Sequence, residues 1–341
     1  MKMTDFSVFL TKYLSEYLPG QRNVSPNTIY SYSDTFRIFL LYCQEKAGIR
    51  PDKLTMNLFT AKLVTDYLDW LEKERNCSIS TRNQRLACIH AFIKYTQPDL
   101  PANLMEIQKI LGIQNKKSAH LSLSFLSVEA MSELLKVPNT HTKAGRRDLM
   151  ILTLLYDSGA RVQELIDLSV RDIRTESPAT ITLHGKGRKV RSVPLMNQTN
   201  SLMLQYLKEH QLWNRPEKLD ASVFFNNRKE KFTRAGITYI LNKYFSIAKE
   251  NSEIVFPDKI SPHVLRHTKA MHMLQSNINL VYIRDFLGHV NVSTTEIYAK
   301  ADVEIKRRAL EAAYVKADIP EQPNWCDDKN LMDWLKDLRS R

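Results

Sequence analysis

The stretch SPHVLRHTKAMHML, residues 261–274, has the signals of a helix N-terminus. Ser261 is a favoured N-cap residue, and Pro262 suits the first helical position because no backbone N–H is needed there. His263 and Arg266 are three residues apart and therefore share one face of the helix. Free N–H groups and the helix dipole attract anions at this end. The stretch thus predicts a phosphate site, although a structural histidine beside a surface arginine would give the same isolated pattern.

The segments around this helix predict a mostly α fold with a small antiparallel sheet, the α+β class. Residues 179–195, ATITLHGKGRKVRSVPL, alternate strand-type side chains on both sides of a glycine-containing turn, which is the pattern of a β-hairpin. Asn279 can cap a short helix that Gly288 closes, and residues 293–296 form a capping box that starts another helix. The second part of the chain therefore mixes helices with one hairpin.

The first hundred residues predict helices alone. Residues 25–48, 60–74 and 80–96 repeat apolar side chains at helical spacing. The segment GIQNKKSAHLSLS that follows has weak periodicity and two adjacent lysines, which indicates a linker. We therefore expect a helical domain at 1–111, the linker at 112–124, a second domain at 125–316 and a tail at 317–341.

The composition favours a nucleic-acid partner and a reducing compartment. The 341 residues carry a net charge of +12, which suits a polyanion. Four scattered cysteines without a C-x-x-C pair argue against a zinc site or a disulfide framework, and for the cytoplasm. The N-terminal segment mixes charged with apolar residues, unlike a signal peptide, and no window is apolar for long enough to span a membrane.

Three further segments carry side chains suited to phosphate chemistry. Arg161 is expected to begin a helix soon after Gly159 ends the preceding one. Lys186 lies at the tip of the expected hairpin. His289 and Tyr298 are nine residues apart, which would place them on opposite faces of one unbroken helix. The expected helix break between them lets Tyr298 point back at His289.

In their order and spacing, these segments resemble the tyrosine recombinases, also called the phage integrase family. The resemblance rests on GARVQEL, GKGRKVRSVPL, HVLRHTKAMHML and LGHVNVSTTEIY, which lie within residues 159–298. It implies that the N-terminal helices form the family's SAM-like core-binding domain, and that this domain and the catalytic domain make a C-shaped clamp around DNA. It also implies six catalytic residues, namely Arg161, Lys186, His263, Arg266, His289 and Tyr298.

The implied reaction joins DNA to a tyrosine. The resemblance makes Tyr298 the nucleophile of a 3′-phosphotyrosyl intermediate, Lys186 the acid that protonates the departing 5′ oxygen, and His263 the group that assists proton transfer at the tyrosine. Arg161 and Arg266 would grip the non-bridging oxygens of the scissile phosphate. A tyrosine with its ordinary pKa of about 10 is weakly nucleophilic until cations and a base stabilise its anion.

The remaining implied role is that of His289, which would hydrogen-bond the phosphate. A phosphodiester under attack gathers negative charge on its equatorial oxygens, and planar guanidinium groups meet that charge bidentately. No carboxylate cluster suits a two-metal nuclease, and no G-x-x-x-x-G-K-[ST] loop is present. We therefore expect a reaction without metal, ATP or another cofactor.

Other basic residues are candidates for contacts with the DNA backbone, and solvated surface positions are the alternative. They are Arg82, Arg85, Lys94, Arg188, Lys189, Arg191 and Arg234. Glu164, three residues after Arg161, is expected to brace that arginine or its helix. His267 shares a face with His263 and is a minor catalytic candidate.

The sequence therefore predicts a site-specific recombinase of the bacterial cytoplasm and nucleoid that serves integration, excision or transposition of a mobile element. Resolution of chromosome or plasmid dimers is an alternative role. A type IB topoisomerase-like enzyme and a non-cleaving DNA-binding protein on the same fold are alternative functions. The resemblance implies double-stranded DNA with inverted-repeat core sites as the partner, a homotetramer on synapsed DNA and a monomer in free solution.

The tail contains a candidate amphipathic helix. Leu331, Trp334, Leu335 and Leu338 fall at helical spacing and make an apolar stripe. The tail is net acidic against a basic body, which argues against DNA binding. Because a helix this short is marginal unless its stripe is buried, we expect it to pack on its own protomer or on a neighbouring one.

Overall fold

The computed structural model describes residues 3–117, 123–185, 189–289, 295–298, 307 and 329–338. The chain divides into two compact units, Met1–Leu121 and Ser122–Arg341. The described residues are mostly helical with one small antiparallel sheet, which confirms the predicted fold class. None of their helices is both long and apolar enough to cross a membrane.

Capped helices build the first unit. Four of its helices begin at an N-cap residue whose side-chain oxygen accepts the backbone N–H three residues further along the chain. These N-cap residues are Thr4, Ser25, Thr60 and Ser78. Pro26 follows one of these caps at the first helical position. The helices are α1 (Asp5–Lys12) with a π-helical continuation (Tyr13–Gln21), α2 (Pro26–Glu45), α3 (Ala61–Lys73), α4 (Ile79–Thr96) and α5 (Leu104–Leu111).

Aromatic rings fill the core of this unit. The ring of Phe92 on α4 lies edge to face with Phe36 on α2 and with Phe6 on α1, at centroid distances of 4.9 Å and 5.7 Å. Such edge-to-face pairs add to the stabilisation from burial of the rings. Phe92 therefore links α4 to both α1 and α2 in this core.

The second unit combines helices with a three-stranded sheet. Its elements are α6 (Val128–Lys136), α7 (Lys143–Ser158), α8 (Val162–Ile166), β1 (Ile173–Arg174), β2 (Thr180–His184), β3 (Val190–Pro194), α9 (Asn197–Glu209), α10 (Arg234–Glu250), α11 (Pro262–Gln275), α12 (Leu280–Leu287) and α13 (Lys329–Asp337). The strand order is β1–β2–β3, and neighbouring strands are antiparallel. Strands β2 and β3 are the predicted hairpin, with Leu183 opposite Arg191.

The C-terminal end of α7 makes a close approach to α12. Gly159 ends α7 in the left-handed region, with φ at +55°. A Cβ atom at Gly159 would lie 2.9 Å from Cδ2 of Leu287 and 3.2 Å from Cε1 of Phe286. Glycine is therefore required here for two reasons: the positive φ disfavours other residues, and the neighbouring side chains leave no room for a Cβ atom. The next helix, α8, starts two residues later with Arg161 as its N-cap.

The helix ends around the predicted phosphate site have the expected caps. The hydroxyl of Ser261 accepts the N–H of Val264 at the start of α11, and the side chain of Asn279 accepts the N–H of Val281 at the start of α12. Gly288 ends α12 in the left-handed region. The predicted capping box at residues 293–296 lies partly outside the described residues, which resume with a helical turn at 295–298.

The predicted helix of the tail is present as α13. Trp334, Leu335 and Leu338 of its apolar stripe are exposed. The side chain of Leu331 lies outside the described residues. The described part of the stripe is therefore exposed.

Candidate active site

Arg266 lies at the centre of the site and is only 3% exposed. Its two terminal nitrogens donate to the carbonyl oxygens of Gly159, at the end of α7, and Leu287, at the end of α12, each at 2.5 Å. Burial lowers its pKa to about 9, and the charges of Arg161 and Arg191 act in the same direction. The guanidinium group is still protonated at neutral pH, so the fold holds a buried positive charge between two helix ends.

Arg161 contributes a second guanidinium group from the start of α8 and is half-buried. Its Nη1 donates to Oε1 of Glu164 at 2.7 Å, while its backbone N–H donates to the other carboxylate oxygen at 2.8 Å. Its Nη2 lies 3.5 Å from the carbonyl oxygen of Gly288. The expected bracing of Arg161 by Glu164 is therefore present, and it fixes both the side chain and the first turn of α8.

The sequence missed the second partner of Glu164. Arg191, on β3, donates from its two terminal nitrogens to the two carboxylate oxygens at 2.9 Å and 2.7 Å, and from Nε to the carbonyl oxygen of Phe286 at 3.0 Å. Burial raises the pKa of Glu164, but hydrogen bonds and charge from Arg191 and Arg161 outweigh it and hold the pKa at about 2. The carboxylate of Glu164 is therefore ionised, and Arg161 and Arg191 share it.

Arg191, one of the predicted contacts with the DNA backbone, bonds to protein groups in this structure. Its side chain is 11% exposed and is committed to Glu164 and to the end of α12. In a β-hairpin, alternate side chains point to opposite faces, and Arg191 points to the buried one. Arg191 therefore lies beneath the candidate site with little of its side chain exposed.

Tyr298 is 1% exposed, and its hydroxyl lies 3.0 Å from Nδ1 of His267. Its ring is stacked at 14° to that of His289, with centroids 6.4 Å apart. Burial raises the pKa of Tyr298, and the charges of Arg266 and Arg161 oppose that rise. The two arginines therefore act on the phenol electrostatically, as a nucleophile next to a phosphate site requires.

His267 and His289 lie beside this tyrosine, and His263 lies next to His267. His263 lies exposed on the first turn of α11, and its ring centroid is 6.4 Å from that of His267. Nδ1 of His289 lies 2.9 Å from the hydroxyl oxygen of Thr295. Among the described residues, it is His267 rather than His263 that bonds to the hydroxyl of Tyr298. The minor candidate from the sequence therefore occupies the position next to the phenol.

The histidines near the arginines are held neutral. Burial lowers the pKa of His267 to about 4, helped by the charges of His263 and Arg266. Burial likewise lowers the pKa of His289 to about 4, helped first by Arg266 and Arg161. At neutral pH each ring therefore has one nitrogen that can accept a hydrogen bond or a proton.

The hairpin base adjoins the arginine pair. The N–H of Gly185 donates to the carbonyl oxygen of Lys189 at 2.7 Å and closes the loop. A Cβ atom at Gly185 would lie 3.2 Å from Oε1 of Glu164 and 3.8 Å from Nη1 of Arg161. The predicted general acid, Lys186, and the predicted DNA contact Arg188 lie outside the described residues.

The remaining predicted DNA contacts divide by exposure. Lys94, Lys189 and Arg234 are exposed, and Arg234 donates from Nε to the side chain of Gln163 at 2.8 Å. These three positions keep their basic groups at the surface. In the described part of the chain, no group of three or more histidine, cysteine, aspartate or glutamate side chains could hold a metal ion.

Two predicted DNA contacts on α4 bond to protein groups in this structure. Arg82 is 5% exposed, and its Nη1 donates at 3.0 Å to the carbonyl oxygen of Gln114. Arg85 is half-buried, and its Nη2 donates to Asp34 on α2 at 2.9 Å. Both guanidinium groups form hydrogen bonds within the first unit to residues that are distant in the sequence. Neither group therefore projects from an open helix face.

Two family models and curated relatives match this chain. Residues 124–304 match the model of the Phage integrase family, and residues 10–100 match the model of the Phage integrase N-terminal SAM-like domain. The chain is 32% identical over 338 residues to the putative integrase/recombinase y4rC of Sinorhizobium fredii, which covers 99% of each chain. It is 30% identical over 284 residues to the tyrosine recombinase XerD of Listeria innocua, covering 83% of this chain and 90% of the relative.

A solved structure shows the same fold. The Tn1549 transposon integrase in complex with circular intermediate DNA matches with a TM-score of 0.67 and 16% identity, covering 91% of this chain and 99% of that chain. The family model spans more than half of the present chain, and one relative matches along its whole length. The chain therefore belongs to the tyrosine recombinases of the phage integrase family, and it is a site-specific recombinase enzyme.

Proposed function

We propose that the protein cleaves and rejoins double-stranded DNA through a 3′-phosphotyrosyl bond to Tyr298, without metal or ATP. The observation that carries the proposal is the convergence of Arg161, Arg266 and Tyr298, close enough for both arginine charges to act on the phenol. A cationic pocket next to a tyrosine, with neutral histidines at hand, has the parts that phosphoryl transfer to an oxygen nucleophile requires.

The proposed step is a direct exchange of one phosphorus–oxygen bond for another. The phenolic oxygen of Tyr298 bonds to phosphorus, and the bond from phosphorus to the 5′ oxygen breaks. The phenolic proton passes to a histidine, and Lys186 gives a proton to the 5′ oxygen, which leaves as a free hydroxyl. The energy of the phosphodiester is kept in the phosphotyrosine, so the reverse step rejoins a strand without ATP.

The phosphate is held by the buried charges. Arg161 and Arg266 bind its non-bridging oxygens and stabilise the negative charge that grows there during attack, and His289 adds a hydrogen bond. Removal of one such preorganised donor in other enzymes slows the chemical step by about 10²–10³-fold. The backbone carbonyls that hold both guanidinium groups keep this site formed before DNA arrives.

We assign the proton acceptor to His267, with His263 assisting from the preceding turn of α11. His267 lies at hydrogen-bond distance from the hydroxyl of Tyr298 and is neutral at physiological pH. A neutral ring that already bonds to the hydroxyl can take its proton as the phenolic oxygen attacks.

We further propose that the enzyme acts in the bacterial cytoplasm, at the nucleoid, in integration, excision or transposition of a mobile element. Its partner would be DNA with inverted-repeat core sites, on which four protomers synapse. The net charge of +12 supports a DNA partner, and the exposed stripe on α13 supports contact between protomers. The corresponding domains are a core-binding domain at 1–111, a linker at 112–124, a catalytic domain at 125–316 and a tail at 317–341.

The test is capture of the covalent intermediate. The DNA that flanks the gene is searched for short inverted repeats around a spacer, and a synthetic duplex of that sequence is nicked beside the cleavage position. The cut fragment then diffuses away and religation is blocked. Wild-type protein should give a protein–DNA band on a denaturing gel, and Tyr298→Phe should give none.

A matched tyrosine serves as the control. Tyr239 on α10 is exposed, and Tyr239→Phe should form the covalent band like the wild type. A band that persists in Tyr298→Phe would move the nucleophile to another residue. Wild-type protein that binds the duplex but never forms a band would favour the non-cleaving alternative.

A further inference from the structure

Three arginines from three elements hold three successive carbonyl groups at the end of α12. Nε of Arg191 lies 3.0 Å from the oxygen of Phe286, Nη2 of Arg266 lies 2.5 Å from that of Leu287, and Nη2 of Arg161 lies 3.5 Å from that of Gly288. The last carbonyls of a helix have no partners within it and carry the negative end of its dipole. These three carbonyl groups directly precede His289, so the arginines that hold them fix the backbone from which the His289 side chain projects.

Each nitrogen of the Arg191 guanidinium group donates to a protein oxygen. Its two terminal nitrogens are committed to the two oxygens of Glu164, and its side chain is 11% exposed. A Cβ atom at Gly288 would lie 3.2 Å from Cδ and 3.3 Å from Nη1 of Arg191, so the end of α12 packs directly on this side chain. Arg191 is therefore enclosed between the carboxylate and these carbonyl groups.

The arrangement has a consequence for the charge of Arg161. Glu164 is 3% exposed, and without Arg191 it would be a buried carboxylate with Arg161 as its remaining cationic partner. Such a carboxylate would draw the guanidinium group of Arg161 into a bidentate pair and cancel its charge. Arg191 occupies both carboxylate oxygens and leaves Arg161 a single side-chain bond to Glu164, through Nη1.

We propose that Arg191 is a positioning residue for strand cleavage, which neutralises Glu164 so that Arg161 keeps its charge and its free donors for the scissile phosphate. This inference rests on the proposed function. It assigns Arg191 an effect on the chemical step and none on DNA affinity.

The first measurement is the single-turnover cleavage rate on the nicked duplex. Arg191→Ala should slow cleavage by about 100-fold or more, the scale for loss of one positioned donor. The affinity for an unnicked duplex should stay within about twofold, because a side chain enclosed beneath the site neutralises no phosphate. A loss of affinity as large as the loss of rate would return Arg191 to the DNA-contact role and overturn the inference.

A double-mutant cycle separates positioning from a general fault of folding. If Arg191 acts through Arg161, then Arg161→Ala combined with Arg191→Ala should cleave no more slowly than Arg161→Ala alone. Multiplying effects would contradict the inference. In addition, Glu164→Gln should raise the cleavage rate of the Arg191→Ala variant at least tenfold, because it removes the unbalanced carboxylate. No restoration would show that the charge of Glu164 is not what Arg191 offsets.

The matched control is another arginine in a bidentate pair. Arg146, near the opposite end of α7 from Gly159, donates to Glu209 at 2.9 Å and 2.5 Å. Arg146→Ala removes a comparable ion pair and should leave the cleavage rate unchanged. Failure of the wild type to form any covalent product would sink the proposed function, whereas a wild-type rate in Arg191→Ala would sink this inference alone.

Discussion

Two sets of arginines, one in each unit, differ in whether a carboxylate pairs with the guanidinium group. In the first unit, Arg82 donates to a backbone carbonyl oxygen but also lies 3.5 Å from a carboxylate oxygen of Glu72, and Arg85 lies 2.9 Å from one of Asp34. In the second unit, Arg266 donates to two backbone carbonyl oxygens. All three side chains are largely withdrawn from solvent, so burial alone does not separate structural from functional arginines.

The chemical identity of the partner makes the difference. A carboxylate cancels the charge of an arginine, whereas a carbonyl group orients the guanidinium plane and leaves its charge in place. The second unit has a carboxylate as well, that of Glu164, but Arg161 and Arg191 share it. The site therefore keeps net positive charge in a region of low dielectric, where an incoming phosphate experiences it most strongly.

The largest expected effect tests this difference directly. Arg161→Ala should slow single-turnover cleavage by about 10²–10³-fold, because it removes a donor aimed at developing charge. Arg82→Ala should leave the cleavage rate of the folded protein close to that of the wild type. Equal losses in the two variants would erase the distinction between the arginines of the candidate site and the buried arginines of the first unit.

The converse effect is on stability. Arg82→Ala should lower the free energy of unfolding of the first unit by about 2 kcal/mol, the scale for loss of a buried, charge-assisted hydrogen bond. Urea unfolding, followed by the fluorescence of Trp70 in α3 in a background with Trp213, Trp325 and Trp334 replaced by phenylalanine, measures it. An unchanged free energy of unfolding together with weakened DNA binding would restore Arg82 as a DNA contact.

The retained charge should also appear in the pH dependence of stability. An unfolded histidine has a pKa of about 6.5, whereas that of folded His267 is about 4. Between these values the unfolded chain binds a proton that the folded chain does not, so stability falls as the pH drops. His267→Gln should reduce the loss of unfolding free energy between pH 7 and pH 5 by about 1–2 kcal/mol. An equal loss of unfolding free energy between pH 7 and pH 5 in the variant and the wild type would contradict the neutral, buried state of His267.

The smallest effects concern exposed lysines, one in each unit. Lys94→Ala and Lys189→Ala should each weaken DNA binding modestly and equally for all sequences. Each should reduce the slope of log affinity against log salt by about 1 if the lysine neutralises one phosphate. A slope that does not change would mean that the lysine lies away from the DNA.

Local signals predicted much of this molecule. Ser261 with Pro262, and Asn279 with Gly288, mark helix ends that depend on a few neighbouring residues, and the structure has them as expected. The alternation around Gly185 likewise predicted strands β2 and β3. Such features are fixed by short-range sterics and hydrogen bonds, which sequence patterns record.

The partners of charged side chains were not predictable in this way. Arg191 and Glu164 are 27 residues apart, and Arg82 and Gln114 are 32 residues apart. Helical periodicity gives the face on which an arginine lies, but not which distant element covers that face. For His267, the shared face with His263 was visible in the sequence, whereas its bond to Tyr298 depends on a contact 31 residues away.

Gly159 shows how a residue without a side chain can be as constrained as a catalytic one. It ends α7 at a positive φ, admits Leu287 at a distance that leaves no room for a Cβ atom, and offers its carbonyl oxygen to Arg266. Its replacement by alanine would disturb all three together. In a complete substitution scan scored by recombination, Gly159 should therefore tolerate as few replacements as the arginines, and a map of essential positions would mark it as active-site although it has no side chain.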